Sequence, residues 1–88
     1  MVINVGYGNY VNEKQIISIS RVDSAPIKRL VSQSKEQGKV VDVTQGRKTK
    51  SVITTSGGYV ILSALMPETI ASRIKNAGAE EPAEEDYE

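Results

Sequence analysis

The sequence predicts a small α+β domain, rich in β-strand and carrying two helices. Three observations lead there. Val and Ile number 19 of the 88 residues while Phe and Trp are absent, and β-branched side chains favour extended backbone. Apolar and polar residues alternate along Ile17-Ser18-Ile19-Ser20, the period of a half-buried strand. Two other segments switch to helical spacing, each with its own start and stop signals.

Residues 2–5 read as a first strand, closed by the turn-rich Gly6-Tyr7-Gly8-Asn9. A lone Gly-x-Gly lacks the third glycine and the following helix of a dinucleotide site, so the cluster is read as a turn. Residues 15–22 form the next strand, with Ile17 and Ile19 on its core face. Asp23-Ser24-Ala25-Pro26 announces the first helix, because Ser is a good N-cap and Pro is tolerated in a first turn. Ile27, Leu30, Val31 and Ser34 give its buried stripe, and Gly38 its stop. The opposite face offers Lys28, Arg29, Lys35 and nearby Lys39.

Residues 39–44 and 51–55 read as two strands, with Val41, Val43, Val52 and Ile53 as core contributors. The segment between them, Gln45-Gly46-Arg47-Lys48-Thr49-Lys50, reads as a hairpin loop. Ser56-Gly57-Gly58 is the following turn. Residues 59–65 are the last strand, apolar enough to be buried on both faces, or on one face and a subunit interface. Pro67-Glu68 opens the second helix, with Ile70 and Ile74 on its apolar side and Gly78 closing it.

Charge divides the chain. Residues 1–78 hold all 11 Lys and Arg against Glu13, Asp23, Glu36, Asp42 and Glu68, a net +6. Residues 79–88 carry six acids and no base, a net −6. The expected organisation is one basic domain over 1–78 and a disordered acidic tail over 79–88. A basic body attracts polyanions, with nucleic acid as the first partner, and the tail competes for the same surface.

Cysteine and histidine are both absent, which excludes disulfides, thiolate metal sites and the commonest general base. The tail acids lack the Asp/Asn-Gly pattern of a calcium loop. No catalytic residue, metal, cofactor or small-molecule substrate is expected, and the chain is read as a non-enzyme. A body of this size without staples is a candidate for oligomerisation. The apolar run at 59–66 is interrupted by Ser63 and too short to span a bilayer. The N-terminus has no signal-peptide pattern, so a cytoplasmic protein is expected.

The sharpest chemical motif is Arg47-Lys48-Thr49-Lys50. Arg bridges phosphate oxygens bidentately, Lys supplies a point charge, and the Thr hydroxyl adds a donor. Gly46 lets the backbone approach a phosphate closely. The alternative is a solubilising hairpin tip. Lys28-Arg29 lies near a helix N-terminus, where cations oppose the macrodipole; a ligand or partner contact accounts for that placement better than an ordinary solvated face does. Tyr7, Tyr10 and Tyr59 are the only aromatics of the body, too few for a base-stacking platform. Backbone-directed contact with duplex DNA suits the pattern better than single-stranded RNA.

Several segments together resemble the RemA family of bacterial extracellular matrix regulatory proteins. They are Asn4-Val5-Gly6-Tyr7-Gly8-Asn9, Ser24-Ala25-Pro26-Ile27-Lys28-Arg29, residues 42–50, Val60-Ile61-Leu62-Ser63-Ala64 and Pro67-Glu68-Thr69. The resemblance runs from about residue 2 to 74. It implies a DNA-binding transcriptional regulator of matrix and biofilm genes, with a LytTR-like β-rich fold assembled as an octameric ring that wraps duplex DNA. It implies DNA contact at Arg47 and Lys48 and sensitivity at Pro26. Lys50, Lys28, Arg29 and Lys14 complete the expected DNA-binding set. The family has Arg where this chain has Gln15, with Lys14 the adjacent cation. An RNA-binding ring and a protein-interaction scaffold are the alternatives.

Overall fold

The computed structural model describes residues 1–76. Gly78 and the acidic tail at 79–88 lie outside the described residues. The chain opens with a hairpin that pairs β1 (Val2–Asn4) with β2 (Tyr10–Asn12), Ile3 opposite Val11. Gly6, Tyr7 and Gly8 between them all have positive φ, 120°, 54° and 76°, which glycine adopts freely and tyrosine rarely. Asn9 N–H donates to the Gly6 carbonyl at 3.0 Å, and Asn4 Oδ1 accepts from Gly6 N–H at 2.7 Å. The second strand was not anticipated, because three residues are too few to display a period.

A 3-10 turn, Glu13–Gln15, leads into β3 (Ile16–Ser20). Here the simple alternation fails. The register against its neighbour shifts between Ile16 and Ser18, and such a bulge resets which side chains face inward. Ile16 and Ile19 pack on the core, while Ile17, expected inside, is 69 % exposed.

Helix α1 (Ala25–Glu36) forms as its signals direct. Ser24 Oγ accepts from Ile27 N–H at 3.3 Å, Pro26 sits in the first turn, and Gly38 takes φ +71° beyond the end. Then β4 (Val40–Asp42), β5 (Ser51–Thr55), β6 (Val60–Ser63) and α2 (Pro67–Lys75) complete the chain. The four longer-range strands form one mixed sheet in the order β3-β5-β6-β4. β5 and β6 are an antiparallel hairpin across Ser56–Gly58, but β4 pairs in parallel with β6. The expected β4–β5 hairpin therefore does not exist. Residues 43–50 are a crossover that carries the chain past the end of β6.

β6 is buried along its whole length. Ile53 and Ile61 point to one face of the sheet, against Ile3, Val5, Leu65 and Ile70. Val52, Val60 and Leu62 point to the other, against Val22, Ile27, Val31 and Val40. The hairpin and α2 cover the first face, and α1 covers the second. Of the two burial patterns foreseen for the apolar run, the fold uses the first, satisfying it within one protomer. Val41, expected in the core, is 43 % exposed, because β4 is an edge strand that turns Val40 and not Val41 toward α1.

Ile53 is fully buried, so Ile53→Ala should lower the unfolding free energy by about 2–5 kcal/mol. Val41→Ala should shift it by less than about 0.5 kcal/mol. Urea unfolding of both variants checks the two faces of this assignment; equal losses would contradict it.

Candidate nucleic-acid interface

The basic motif is carried by the crossover, and the crossover is pinned at both ends by one strand. Val43 N–H donates to the Leu62 carbonyl at 3.0 Å, and Lys50 N–H to the Ser63 carbonyl at 2.8 Å. The segment thus bridges about 10 Å, two strand spacings, across the end of β6. Its tip is a tight turn in which Arg47 N–H donates to the Thr44 carbonyl at 3.0 Å. Gln45 and Gly46 in the middle have φ of 57° and 80°, the paired left-handed conformation of a type I′ turn. A Cβ on Gly46 would meet nothing within 4 Å, so glycine is needed there for its backbone and not for space.

Thr44 anchors the turn from below. It is 2 % exposed. Its N–H donates to Asp42 Oδ1 at 2.9 Å and its hydroxyl donates to the same oxygen at 2.7 Å. These bonds hold the Asp42 carboxyl below its ordinary value of 3.8; the positive charge of Lys35 adds slightly, and partial burial opposes. Arg47, Lys48 and Lys50 are exposed above this base, while Thr49 is half-buried.

Thr49 turns toward α1. An open cleft of about 380 Å³ separates the two, floored by Val22, Val31, Val52 and Leu62. Lys28, Ser32 and Lys35 border it from α1, and Thr49 from the crossover. Lys28 and Thr49 therefore border one cleft. Lys28 and Lys35 flank Val31 rather than lying on the far side of the helix, as residues three and four positions away must. The i, i+4, i+7 spacing of Lys28, Ser32 and Lys35 was the available signal for this rim, and Ser32 was not singled out from it. Arg29 is exposed on α1 beside Lys28 and does not border the cleft.

Lys14 stands elsewhere. Its N–H donates to the Asn12 side chain at 3.0 Å in the 3-10 turn, which is tied to the β5–β6 hairpin: Ser56 N–H donates to the Gln15 carbonyl at 2.8 Å, and Ser56 Oγ donates to Gln15 Oε1. The length of β5, about 13 Å of strand, separates this end from the crossover. Gln15 is thus a latch on the hairpin tip. Lys39 lies at the same end, its Nζ 5.5 Å from the centre of the Tyr59 ring. Arg73 is structural, donating to the Asn4 carbonyl at 2.9 Å. Among the described residues no group of three or more acids could hold a metal ion, and no helix is long and apolar enough to cross a membrane.

The family model described as RemA-like, extracellular matrix regulatory protein A-like, matches residues 2–74. Similar curated proteins bear the name "Putative regulatory protein". One from Synechococcus elongatus is 55 % identical over 75 residues, covering 85 % of this chain and 86 % of its own length. Another, from Geobacillus thermodenitrificans, is 53 % identical over 72 residues, covering 82 % of this chain and 83 % of its own. A third, from Moorella thermoacetica, is 43 % identical over 86 residues, covering 93 % and 94 %.

The Asp42–Thr44 anchor has a pH signature. A carboxylate whose value falls on folding contributes stability that is full above its unfolded value, near 3.8. That contribution is lost as pH drops through the lower folded value. Thr44→Val should therefore cost about 1 kcal/mol at neutral pH, and the difference from the parent should shrink in acid. Carboxyl titration followed by NMR should show Asp42 rising toward 3.8 in the variant. An unchanged Asp42 midpoint would mean that the hydroxyl does not hold the carboxylate.

Proposed function

This chain belongs to the RemA-like family, and on that footing we propose that it is a DNA-binding transcriptional regulator of matrix- and biofilm-type genes, with a LytTR-like fold, working in the cytoplasm. The observation that supports the reading is that the basic crossover and the basic side of α1 border one cleft, through Thr49 and Lys28. The crossover presents Arg47, Lys48 and Lys50 to solvent, and its Thr49 borders the same cleft as Lys28 of α1, next to the exposed Arg29. A stretch of duplex backbone meets both at once. Phosphate contact of this kind positions a protein without reading sequence, and bendability of the target contributes the preference.

One protomer offers few phosphate contacts, so the proposed active form is a closed ring, octameric as the family resemblance implies. Two features of the sheet support head-to-tail assembly. β3 and β4 are its two outer strands, and each carries an exposed aliphatic side chain, Ile17 and Val41. Two different edges meeting in successive subunits make a heterologous interface, which closes when the rotation allows. Repeated weak contacts on one DNA then act at high effective concentration. Lys14, at the far end of the sheet, joins the DNA surface only if the ring brings it round.

Replacing Arg47 and Lys48 together with Ala should weaken binding to duplex DNA of any sequence. Each phosphate that is no longer neutralised should flatten the slope of log K against log salt by about 0.9. The unfolding free energy should move by less than about 0.5 kcal/mol per exposed charge. Weaker binding with an unaltered slope would argue against phosphate contact. Competition with single-stranded RNA would expose an RNA-binding ring instead.

Light scattering at micromolar concentration should report a closed oligomer. A monomer mass would remove the ring and the avidity that rests on it.

A further inference from the structure

We propose that the cleft between α1 and the crossover is a binding site for a small amphipathic anion: an aliphatic body of medium acyl length bearing one carboxylate or phosphate. Its volume, about 380 Å³, lies within the range of small-molecule sites, roughly 300–1,000 Å³. The floor is made of three valines and a leucine, and no aromatic side chain borders it. Such a floor takes an aliphatic chain and offers no stacking partner to a planar ring.

The rim sets the sign of the ligand. Lys28 and Lys35 stand two helical turns apart, about 10 Å, on the same side of α1, and both border the cleft. Neither ammonium group forms a hydrogen bond or ion pair with another described residue; Lys35 influences Asp42 only as a minor charge. The Ser32 and Thr49 side chains add hydroxyl donors at the rim. An anionic head between the two ammonium groups and an apolar tail on the valines satisfies both parts of the lining. Neither a bare phosphodiester nor a neutral hydrocarbon does so.

Occupancy also bears on the crossover. A head group held between Lys28 and Lys35 takes a cation from the proposed DNA surface, and its contact with the Thr49 hydroxyl fixes the residue between Lys48 and Lys50. This consequence rests on the DNA-binding reading; ligand binding itself does not.

Calorimetric titration of the full chain with decanoate below its micellar concentration tests the site, with decanol and inorganic phosphate as half-ligands. Decanoate should bind about tenfold or more tightly than either half-ligand. Lys35→Gln should weaken decanoate about tenfold by removing a charge-assisted hydrogen bond and leave decanol unchanged. Ser32→Trp, at an exposed helix position, should fill the cleft and abolish decanoate binding while circular dichroism stays that of the parent. Absence of decanoate binding would overturn the proposal, as it would if a second copy or the chain's own acidic segment fills the cleft. Equal binding of decanol, or indifference to both substitutions, would overturn it too. In the DNA arm, decanoate should weaken duplex binding by the parent and not by Ser32→Trp. A chain that takes decanoate but never binds duplex would defeat the DNA reading and leave the site standing.

Discussion

Everything in this fold is arranged around a strand that has no free side. β6 is bonded along both edges, to β5 antiparallel and to β4 in parallel, and its four residues are buried on both faces. Its two neighbours, β4 and β5, are consecutive in the chain, so the segment that joins them must cross β6. The crossover does this. Its two end bonds, from Val43 and Lys50 to successive carbonyls of β6, convert a surface loop into a strap of fixed span. The basic motif is therefore presented by a constrained segment, whose ends are set by the sheet and whose tip is set by Thr44 and Asp42.

The same end of the molecule satisfies its buried polar groups with hydroxyls. Ser63 Oγ donates to the Val5 carbonyl at 2.7 Å and accepts from Leu65 N–H at 3.0 Å. Ser51 Oγ donates to the Leu65 carbonyl. These buried groups tie the N-terminal hairpin and the approach to α2 onto the sheet where no strand can reach them. Among the described residues no buried side-chain nitrogen or oxygen lacks a partner, as buried polar groups require. Arg73 adds its bond to the Asn4 carbonyl, so this half-buried cation of α2 helps hold the N-terminal hairpin in place.

Rigid support and exposed charge together define what this surface can do. Exposed Lys and Arg interact with phosphates over distances that salt shortens, and such phosphate contacts carry no sequence information of their own. Their effect grows by repetition more than by refinement of any single contact. The cleft beside them is of another kind. It pairs an apolar floor with two amines, and it shares Lys28 with the proposed DNA surface and Thr49 with the strap. The two proposed surfaces thus meet at Lys28, on one side of α1.

The sequence alone determined what depends on neighbours along the chain. Ser24, Pro26 and Gly38 delimited α1, Pro67 opened α2, and the glycines at 57–58 turned β5 into β6, because caps and turns are built from adjacent backbone groups. It also isolated Arg47, Lys48 and Lys50 as exposed cations in a loop, which is where the fold places them. It could not decide which strands pair. Val41 and Ile17 look like core residues in any local window; a parallel pairing at one edge and a bulge at the other turn them outward. The β4–β5 segment reads as a hairpin until β6, later in the chain, takes the place between them. For the same reason the cleft was hidden: its floor comes from α1, β5, β6 and the approach to α1, and only the tertiary structure brings Lys28 to Thr49 and leaves Lys14 at the far end.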